Sequence, residues 1–312
     1  MTHPTQPDSD ASSRDTHGLP ADDRALAAFT RERERLFALA YRMLGSVEDA
    51  EDVVQETFLR WHRTPFDAVD SPPAWLTTVV TRIALNQLQS ARVTREAYVG
   101  PWLPEPILTA DAASPSDQAE LSDSLSIAFL TVLERLSPRE RAVFLLRDVF
   151  SYEYDEIARI VELSESNCRQ IFHRAKQRLD ERRKRFPADH ETHRKLLEGF
   201  VRAVNDGDVD GVVKLLARDA VLWADGGGRV PAAALRPVRG AESVAKFLVG
   251  VRRKFGIGDV TMRTVNGRLS LIASIEGVPQ RVVSIDAAAG SIAGVYVVAN
   301  PDKLRSLARA LM

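Results

Sequence analysis

A run of hydrogen-bonding and basic side chains just past the middle of the chain is the feature best suited to chemistry. Ser166, Gln170, His173 and Gln177 recur at the spacing that places side chains on one face of an α-helix, with Asn167, Arg169 and Arg174 on its flanks. Such a face matches base edges in a major groove, where Gln and Asn pair with adenine and Arg with guanine. Between Arg169 and Arg185 the basic residues are Arg169, Arg174, Lys176, Arg178, Arg182, Arg183, Lys184 and Arg185, opposed only by Asp180 and Glu181. That imbalance suits phosphate contacts, which supply affinity but not sequence choice. Cys168, Phe172, Ala175 and Leu179 share the opposite face and pack inward. His173 has no nucleophile or carboxylate partner in the pattern, so it reads as a polar surface group, and Cys168 as a small apolar filler.

The elements that must position this face have the order of a helix-turn-helix. Ser137-Pro138-Arg139-Glu140 combines a capping Ser, a Pro in the first turn and a Glu that can close a capping box, so a helix starts there and runs to about Val149. Ser151 is expected to cap a short helix containing Ile157 and Ala158. Val161-Glu162-Leu163 makes the turn, and Ser164 caps the longer basic helix. A solvated helix in an ordinary bundle is the alternative. Caps, turn, polarity and charge together favour nucleic-acid contact.

A second group of polar residues lies upstream, in a region running from about Asp22 to Ala91. Its first helix ends near Leu44, where Gly45 can take the left-handed stop, and Ser46 caps a second helix from Val47 to about His62. Val47, Ala50, Val54, Phe58 and Trp61 form its apolar face. Asp49, Asp52, Glu56, Arg60 and Arg63 line the other, as a solvated surface or an interface. A third helix follows Pro72-Pro73 and runs to about Ser90. Thr77 to Thr81 is rich in β-branched residues, yet Leu76, Val80 and Ile83 keep helical spacing.

Length and composition leave room for two or three domains in 312 residues. The net charge of −1 selects no partner, and 45% hydrophobic residues allow ordinary soluble cores. The tail, residues 1–21, has a disordered composition and lacks the basic start and apolar run of a signal peptide. No stretch is apolar enough for a membrane span, and a single cysteine excludes an internal disulfide and a cysteine-built zinc site. A cytoplasmic location, no membrane contact and no cofactor are the expectations. Residues 92–120 read as a linker, although Trp102-Leu103-Pro104-Glu105-Pro106 looks like a docked segment rather than a passive spacer.

Residues 121–186 form the second helical domain, and residues 187–312 the third region, an α+β domain. It opens with amphipathic helices, then carries short β-prone runs at Ala220–Trp223, Val260–Val265, Leu269–Ile275, Gln280–Ile285 and Ile292–Val298. Asn266-Gly267 signals a hairpin, so a curved antiparallel sheet is expected. Asn300-Pro301 can start a last helix. Asp225-Gly226-Gly227-Gly228-Arg229 exposes backbone at a strand end, at an ordering cost that favours a fixed partner. Docking of this turn onto the Trp102 segment is the preferred expectation.

Taken together, Asp52-Val53-Val54-Gln55-Glu56-Thr57-Phe58, Ala74-Trp75-Leu76 with Ile83-Ala84-Leu85-Asn86, Leu136-Ser137-Pro138-Arg139-Glu140-Arg141 and Cys168-Arg169-Gln170 with His173-Arg174-Ala175 resemble sigma factors of the extracytoplasmic-function group over residues 25–185. The resemblance implies that Asp49, Asp52, Gln55 and Glu56 bind core RNA polymerase. It implies that Asn86, assisted by Arg82 and Gln89, contacts melted −10 promoter DNA. Ser166, Asn167, Arg169, Gln170, His173, Arg174 and Gln177 would read the double-stranded −35 element. The third region resembles a SnoaL-type cone domain of the nuclear transport factor 2-like fold, found in a subgroup of these factors. Trp102, Pro104, Glu105, Asp225 to Arg229, Asn300, Asp302 and Lys303 match its hallmark segments. Arg229 stands where the subgroup has Lys, which keeps the charge but changes the geometry. There the extension contacts the sigma core and tunes activity.

Catalysis by the third region is disfavoured. It has no histidine from Arg194 onward, and Asp206, Asp208, Asp210 and Asp219 lie where capping or solvent explains them. Trp223, Phe247 and Phe255 can line a cavity or fill the core, so an unknown small ligand stays open. The alternative for the whole chain is a ligand-responsive helix-turn-helix regulator. A second nucleic-acid or polymerase module at residues 25–91 argues against that reading.

Overall fold

The computed structural model describes residues 21–109, 124–183, 189–256 and 258–312. The expected tail, the acidic linker stretch around Pro115, and Lys184 with Arg185 lie outside the described residues. Among those described, no helix is long and apolar enough to cross a membrane.

Three helices build the first unit: α1 (Ala21–Leu44), α2 (Val47–His62) and α3 (Pro72–Glu96). Gly45 stops α1 with φ +70°, and the Ser46 hydroxyl accepts from Asp49 N at 3.2 Å. Val47, Ala50, Val54 and Trp61 of the α2 apolar face are buried and Phe58 is half-buried, and the Trp61 indole donates to Ala25 O at 2.8 Å. The β-branched stretch is helical: Thr77, Thr78 and Thr81 each return a hydroxyl to the carbonyl four residues earlier. This helix runs six residues beyond Ser90, because no glycine or proline interrupts it before Gly100.

The second unit holds α4 (Ile127–Leu133), α5 (Pro138–Phe144, continued by a π turn at Leu145–Val149), α6 (Tyr154–Val161) and α7 (Glu165–Arg183). Ser137 and Glu140 close the capping box on α5. Ser151 does not cap the next helix. It takes a positive φ of 57° to turn the chain, and α6 starts three residues later, where Glu156 accepts from Glu153 N at 2.9 Å. Glu162 holds the turn in the left-handed region, and Ser164 caps α7 through Asn167 N at 3.3 Å.

The two helical units share one continuous buried cluster that runs from Phe29 to Leu179. Arg141, Arg35 and Arg82 are among the arginines that cross the seam. Buried Arg141 donates to Met43 O at 2.6 Å and Leu133 O at 2.9 Å, and pairs with Glu134 at 2.8 Å. Arg35 reaches Tyr152 and Thr77, and Arg82 caps the carbonyl end of α6 at Ile160 O (3.1 Å) and Arg159 O (2.9 Å).

The third unit opens with α8 (His190–Asp206) and α9 (Val209–Leu215), capped by Asp189 and Asp208. A six-stranded sheet follows: β1 (Leu216–Asp225), β2 (Val238–Arg239), β3 (Asp259–Val265), β4 (Arg268–Ile275), β5 (Val278–Ala288) and β6 (Ser291–Val298), with α10 (Ala241–Phe255) inserted after β2. The order is β2-β1-β6-β5-β4-β3. The sheet is mixed rather than antiparallel throughout, because β6 returns alongside β1 in parallel. Positive φ at Asn266 and Gly267 makes the β3–β4 hairpin, and Glu276-Gly277 and Ala289-Gly290 repeat the same chemistry. A short helical turn (Pro301–Leu304), capped by Asn300, leads into α11 (Arg305–Leu311).

Both faces of this sheet are buried. Leu222, Leu271, Ile285 and Val295 pack beneath α8, α9 and α10. On the other side Ile272, Val282, Tyr296 and Val298 meet Leu103, Ile127 and Leu307. The second face is thus covered by the segment before α4, by α4 itself and by the C-terminal helix.

Arg141 offers a test of how the helical units are held. Replacing it by Ala strands two buried carbonyls and a half-buried carboxylate, a loss of roughly 3–5 kcal/mol for breaking a buried pair. Urea unfolding of R141A should show that deficit, and a loss below about 1 kcal/mol would mean water replaces the guanidinium there.

Candidate nucleic-acid interface and interdomain junction

Helix α7 divides as its sequence pattern requires. Cys168, Phe172, Ala175 and Leu179 are buried, and burial pushes the Cys168 thiol above its ordinary value. Ser166, Arg169, Gln170, His173, Arg174 and Gln177 are exposed, with Asn167 half-buried at the rim. Arg169 pairs with Glu165 one turn back and lies 4.6 Å from the Tyr154 ring centre. Arg178 pairs with Glu140 at 2.8 Å and Lys176 approaches Asp148 at 3.9 Å, so part of the basic run steadies the unit itself. The Gln, His and Ser side chains form a polar strip one helix long with cationic flanks. That strip can present both donors and acceptors to a groove while the charges meet phosphates.

On α2, Asp52 and Gln55 are exposed, and Asp49 and Glu56 are half-buried, with Glu56 paired to Arg60 at 2.8 Å. On α3, Arg82, Asn86 and Gln89 form one exposed stripe. Arg82 is held by the α6 carbonyls and by Glu162 at 3.1 Å, so its guanidinium faces the turn of the helix-turn-helix in this structure. Asn86 and Gln89 continue the stripe beyond it.

The remaining sequence-selected residues converge on a junction between the sheet and the segment at residues 98–109. Asp225 ends β1 with its carboxylate fully buried. It accepts from Leu103 N (2.9 Å), the Tyr98 hydroxyl and Gly227 N (3.1 Å), and it pairs with Lys303 at 2.7 Å. Lys303 also donates to Leu103 O and stands 3.9 Å from the Trp102 ring centre. Glu105 faces the helical side: its carboxylate accepts from Val47 N at 2.8 Å and from the Ser306 hydroxyl at 2.6 Å. Burial raises the Glu105 carboxyl above the usual range.

Two glycines permit these approaches. A Cβ on Gly45 would lie 2.6 Å from the Trp102 ring and 3.6 Å from Pro104, so the helix stop doubles as the seat for the docked Trp. A Cβ on Gly227, at φ +59°, would lie 2.7 Å from the Asn300 amide. Asn300 in turn donates to the Tyr98 hydroxyl at 2.8 Å. Two residues of the glycine turn point elsewhere. Gly226 packs against Ala233 and Val230, and Arg229 binds Asn300 and Asp302 within its own unit.

Several junction residues escaped sequence reasoning. Asn266 was legible only as a turn former, yet its amide donates to the Tyr41 hydroxyl (2.7 Å) and Leu125 O (3.1 Å) and accepts from Ile107 N (3.1 Å). Tyr41 reads as helix core, and its hydroxyl donates to Glu105 O. Neither carries a local signal, because their partners lie tens to hundreds of residues away. Of the aromatics considered for a cavity, Phe247 and Trp223 each line one, Trp223 also stacks on Tyr296 at 4.9 Å, and Phe255 is exposed.

Known proteins resemble this chain in sequence and fold. Residues 28–94 match the sigma-70 region 2 family and residues 126–179 the sigma-70 region 4 family. The chain is 36% identical over 290 residues to the ECF RNA polymerase sigma factor SigJ of Mycobacterium tuberculosis, across 89% of this chain and 92% of that protein. It is 30% identical over 287 residues to the probable ECF RNA polymerase sigma factor SigI of the same organism, across 91% and 96%. The crystal structure of the M. tuberculosis SigJ protein aligns with a TM-score of 0.72 at 33% identity, over 90% of this chain and 98% of that one. The likeness therefore runs through the sheet unit as well as the helices. The two sigma-70 modules bind RNA polymerase and promoter DNA without catalysing a reaction, and the chain belongs to the extracytoplasmic-function RNA polymerase sigma factors.

Proposed function

We propose that this sigma factor selects promoters at two separate elements and that its sheet unit governs how the two readers are deployed. The observation that carries the reading is the exposed polar strip Ser166, Gln170, His173 and Gln177 on a capped helix-turn-helix, set against the exposed Asn86 and Gln89 on α3. The strip would read the −35 element in the major groove, with Asn167, Arg169 and Arg174 at its edge. Asn86 would take an unstacked base of the melted −10 element, and Asp49, Asp52, Gln55 and Glu56 would hold the polymerase. Sites about 25 base pairs apart are separated by roughly 85 Å of B-form DNA at 3.4 Å per pair. Helical units that share a core must part to span that distance, and Arg82 would then be released from α6 toward DNA.

The sheet unit, which we read as SnoaL-like, is tied to the segment joining the two units through Asp225, Lys303, Trp102 and Glu105. Its hold on that segment would set the cost of parting them. A repressor with a ligand-binding tail is the weaker reading, since it leaves the α2 and α3 surfaces without a task.

Run-off transcription with excess core polymerase tests the base-reading roles. Q170A/H173A should lower initiation at a promoter of this factor about tenfold or more, because each good base contact carries roughly 1–3 kcal/mol. Core binding by anisotropy should stay unchanged. N86A should retain closed complexes but lose permanganate reactivity of the −10 thymines, and normal melting by N86A would remove Asn86 from its role. Absence of promoter-specific initiation by both the full chain and a chain ending at Phe186 would defeat the reading altogether.

G227V probes the sheet unit's hold, since its Cβ displaces Asn300 from Tyr98. Limited proteolysis between Tyr98 and Thr109 should quicken, and transcription should change in step. Wild-type values for both would separate the junction from regulation.

A further inference from the structure

The first turn of α6 carries an aromatic ring that two cations share. Tyr154 is half-buried, and the guanidinium carbon of Arg169 on α7 lies 4.6 Å from its ring centre. The guanidinium carbon of Arg147, from the π turn after α5, lies 4.8 Å from the same centre. The ring is anchored from inside the unit. It meets buried Phe172 edge-on, with centres 6.1 Å apart and planes at 73°, and Phe172 stacks on Phe144 at 5.9 Å. Tyr152, two residues earlier, turns instead to the seam and accepts from Arg35 at 2.8 Å.

Packing alone does not call for this arrangement. Two arginines drawn to one ring repel each other, and each has a carboxylate beside it: Arg147 pairs with Glu153 at 3.0 Å and Arg169 with Glu165. An aliphatic side chain would cover Phe172 without gathering charge at this surface. The position of Arg169 supplies the reason. It is exposed on the flank of the polar strip, one helical turn from both Ser166 and His173. A free arginine there samples many rotamers, and ordering them on contact with DNA costs affinity. A guanidinium held against a ring is ordered beforehand and keeps edge N–H groups for hydrogen bonds in its own plane. Guanine offers two acceptors, O6 and N7, on a major-groove edge that matches such a pair of N–H groups.

We propose that Tyr154 is a positioning residue for promoter selection, its ring holding the Arg169 guanidinium ready to read a guanine of the −35 element. This role rests on the reading of α7 as the −35 reader and adds to it a residue from the preceding helix. Tyr154 acts through Arg169. Its loss therefore relaxes the choice at one base pair and leaves the rest of the site as it was.

Selection of binding sites by the reconstituted holoenzyme, from duplexes randomised across both promoter elements, tests the role. Wild type should prefer guanine at one −35 position, and R169A should lose that preference there alone. Y154L should weaken the same preference about threefold or more, the size of a cation–π contact at an exposed site. Y154F keeps the ring and should stay within about twofold of wild type. Y154L/R169A should do no worse than R169A, because the ring then has nothing to position. A graded series holds shape constant: phenylalanine, difluorophenylalanine and trifluorophenylalanine at position 154 drain negative charge from the ring face with little change in size. Affinity for the selected duplex should fall stepwise along that series when Arg169 is present and stay flat in R169A. An unaltered guanine preference in R169A would remove Arg169 from base reading and take the role of Tyr154 with it. Lost preference in R169A with full preference in Y154L would overturn the positioning role alone. So would an additive double variant, a uniform loss across the whole site in Y154L, or a flat response to fluorination with Arg169 in place.

Discussion

The buried carboxylate of Asp225 is the constraint on which the arrangement of the three units depends. It sits where β1 ends, and its backbone carbonyl accepts from Ala299 N (2.7 Å) and Asn300 N (2.9 Å), so its position is set by the parallel pairing of β1 with β6. A carboxylate in that environment is tolerable only if its oxygens are saturated. Leu103 N, the Tyr98 hydroxyl, Gly227 N and Lys303 do so together. Three of those four donors come from outside β1 and its turn. The end of the sheet and the segment it grips therefore satisfy each other's buried polar groups.

That segment is also the covalent path between two helical units that share a core. Glu105 and Tyr41 fasten it to α1 and α2, and Asn266 fastens it to the β3–β4 turn. The resulting sandwich has helices on one side, sheet on the other and a proline-stiffened strip between. Stiff prolines suit this position, since they lose little conformational freedom when docked. The seam between the helical units is made of buried hydrocarbon and arginine contacts to carbonyls, both of which can be remade with water or another protein.

The two faces of the sheet divide the labour within the third unit. One meets the segment and α4 through Ile272, Val282, Tyr296 and Val298. The other encloses the cavity beneath α10. Strand alternation makes the division unavoidable, because residues one apart on β6 or β5 point to opposite sides. Val297 lines the cavity while its neighbours Tyr296 and Val298 press on the junction. A change on one face is therefore a single residue away from the other.

Local chemistry made much of this molecule legible in advance. Caps at Ser46, Ser137, Ser164 and Asn300, the stop at Gly45, the Asn266-Gly267 hairpin and the two faces of α7 all follow from short-range patterns, because helix and hairpin signals act within a few residues. Where a longer-range choice mattered, the pattern fell short. Ser151 lost the cap to a turn that begins α6 later, and the parallel return of β6 beside β1 bypassed the expectation of a purely antiparallel sheet. The fusion of the helical units into one core, the capture of Arg82 by α6 and the roles of Tyr41, Tyr98 and Asn266 had no local trace. Their partners stand 58 to 225 residues away for bonds such as Asn266 to Tyr41 and Glu105 to Val47. By itself the sequence determined which helices, turns and polar faces form. Only the tertiary structure decided which buried donors meet which acceptors, because satisfying a buried polar group is a property of the whole enclosure and not of its neighbours along the chain.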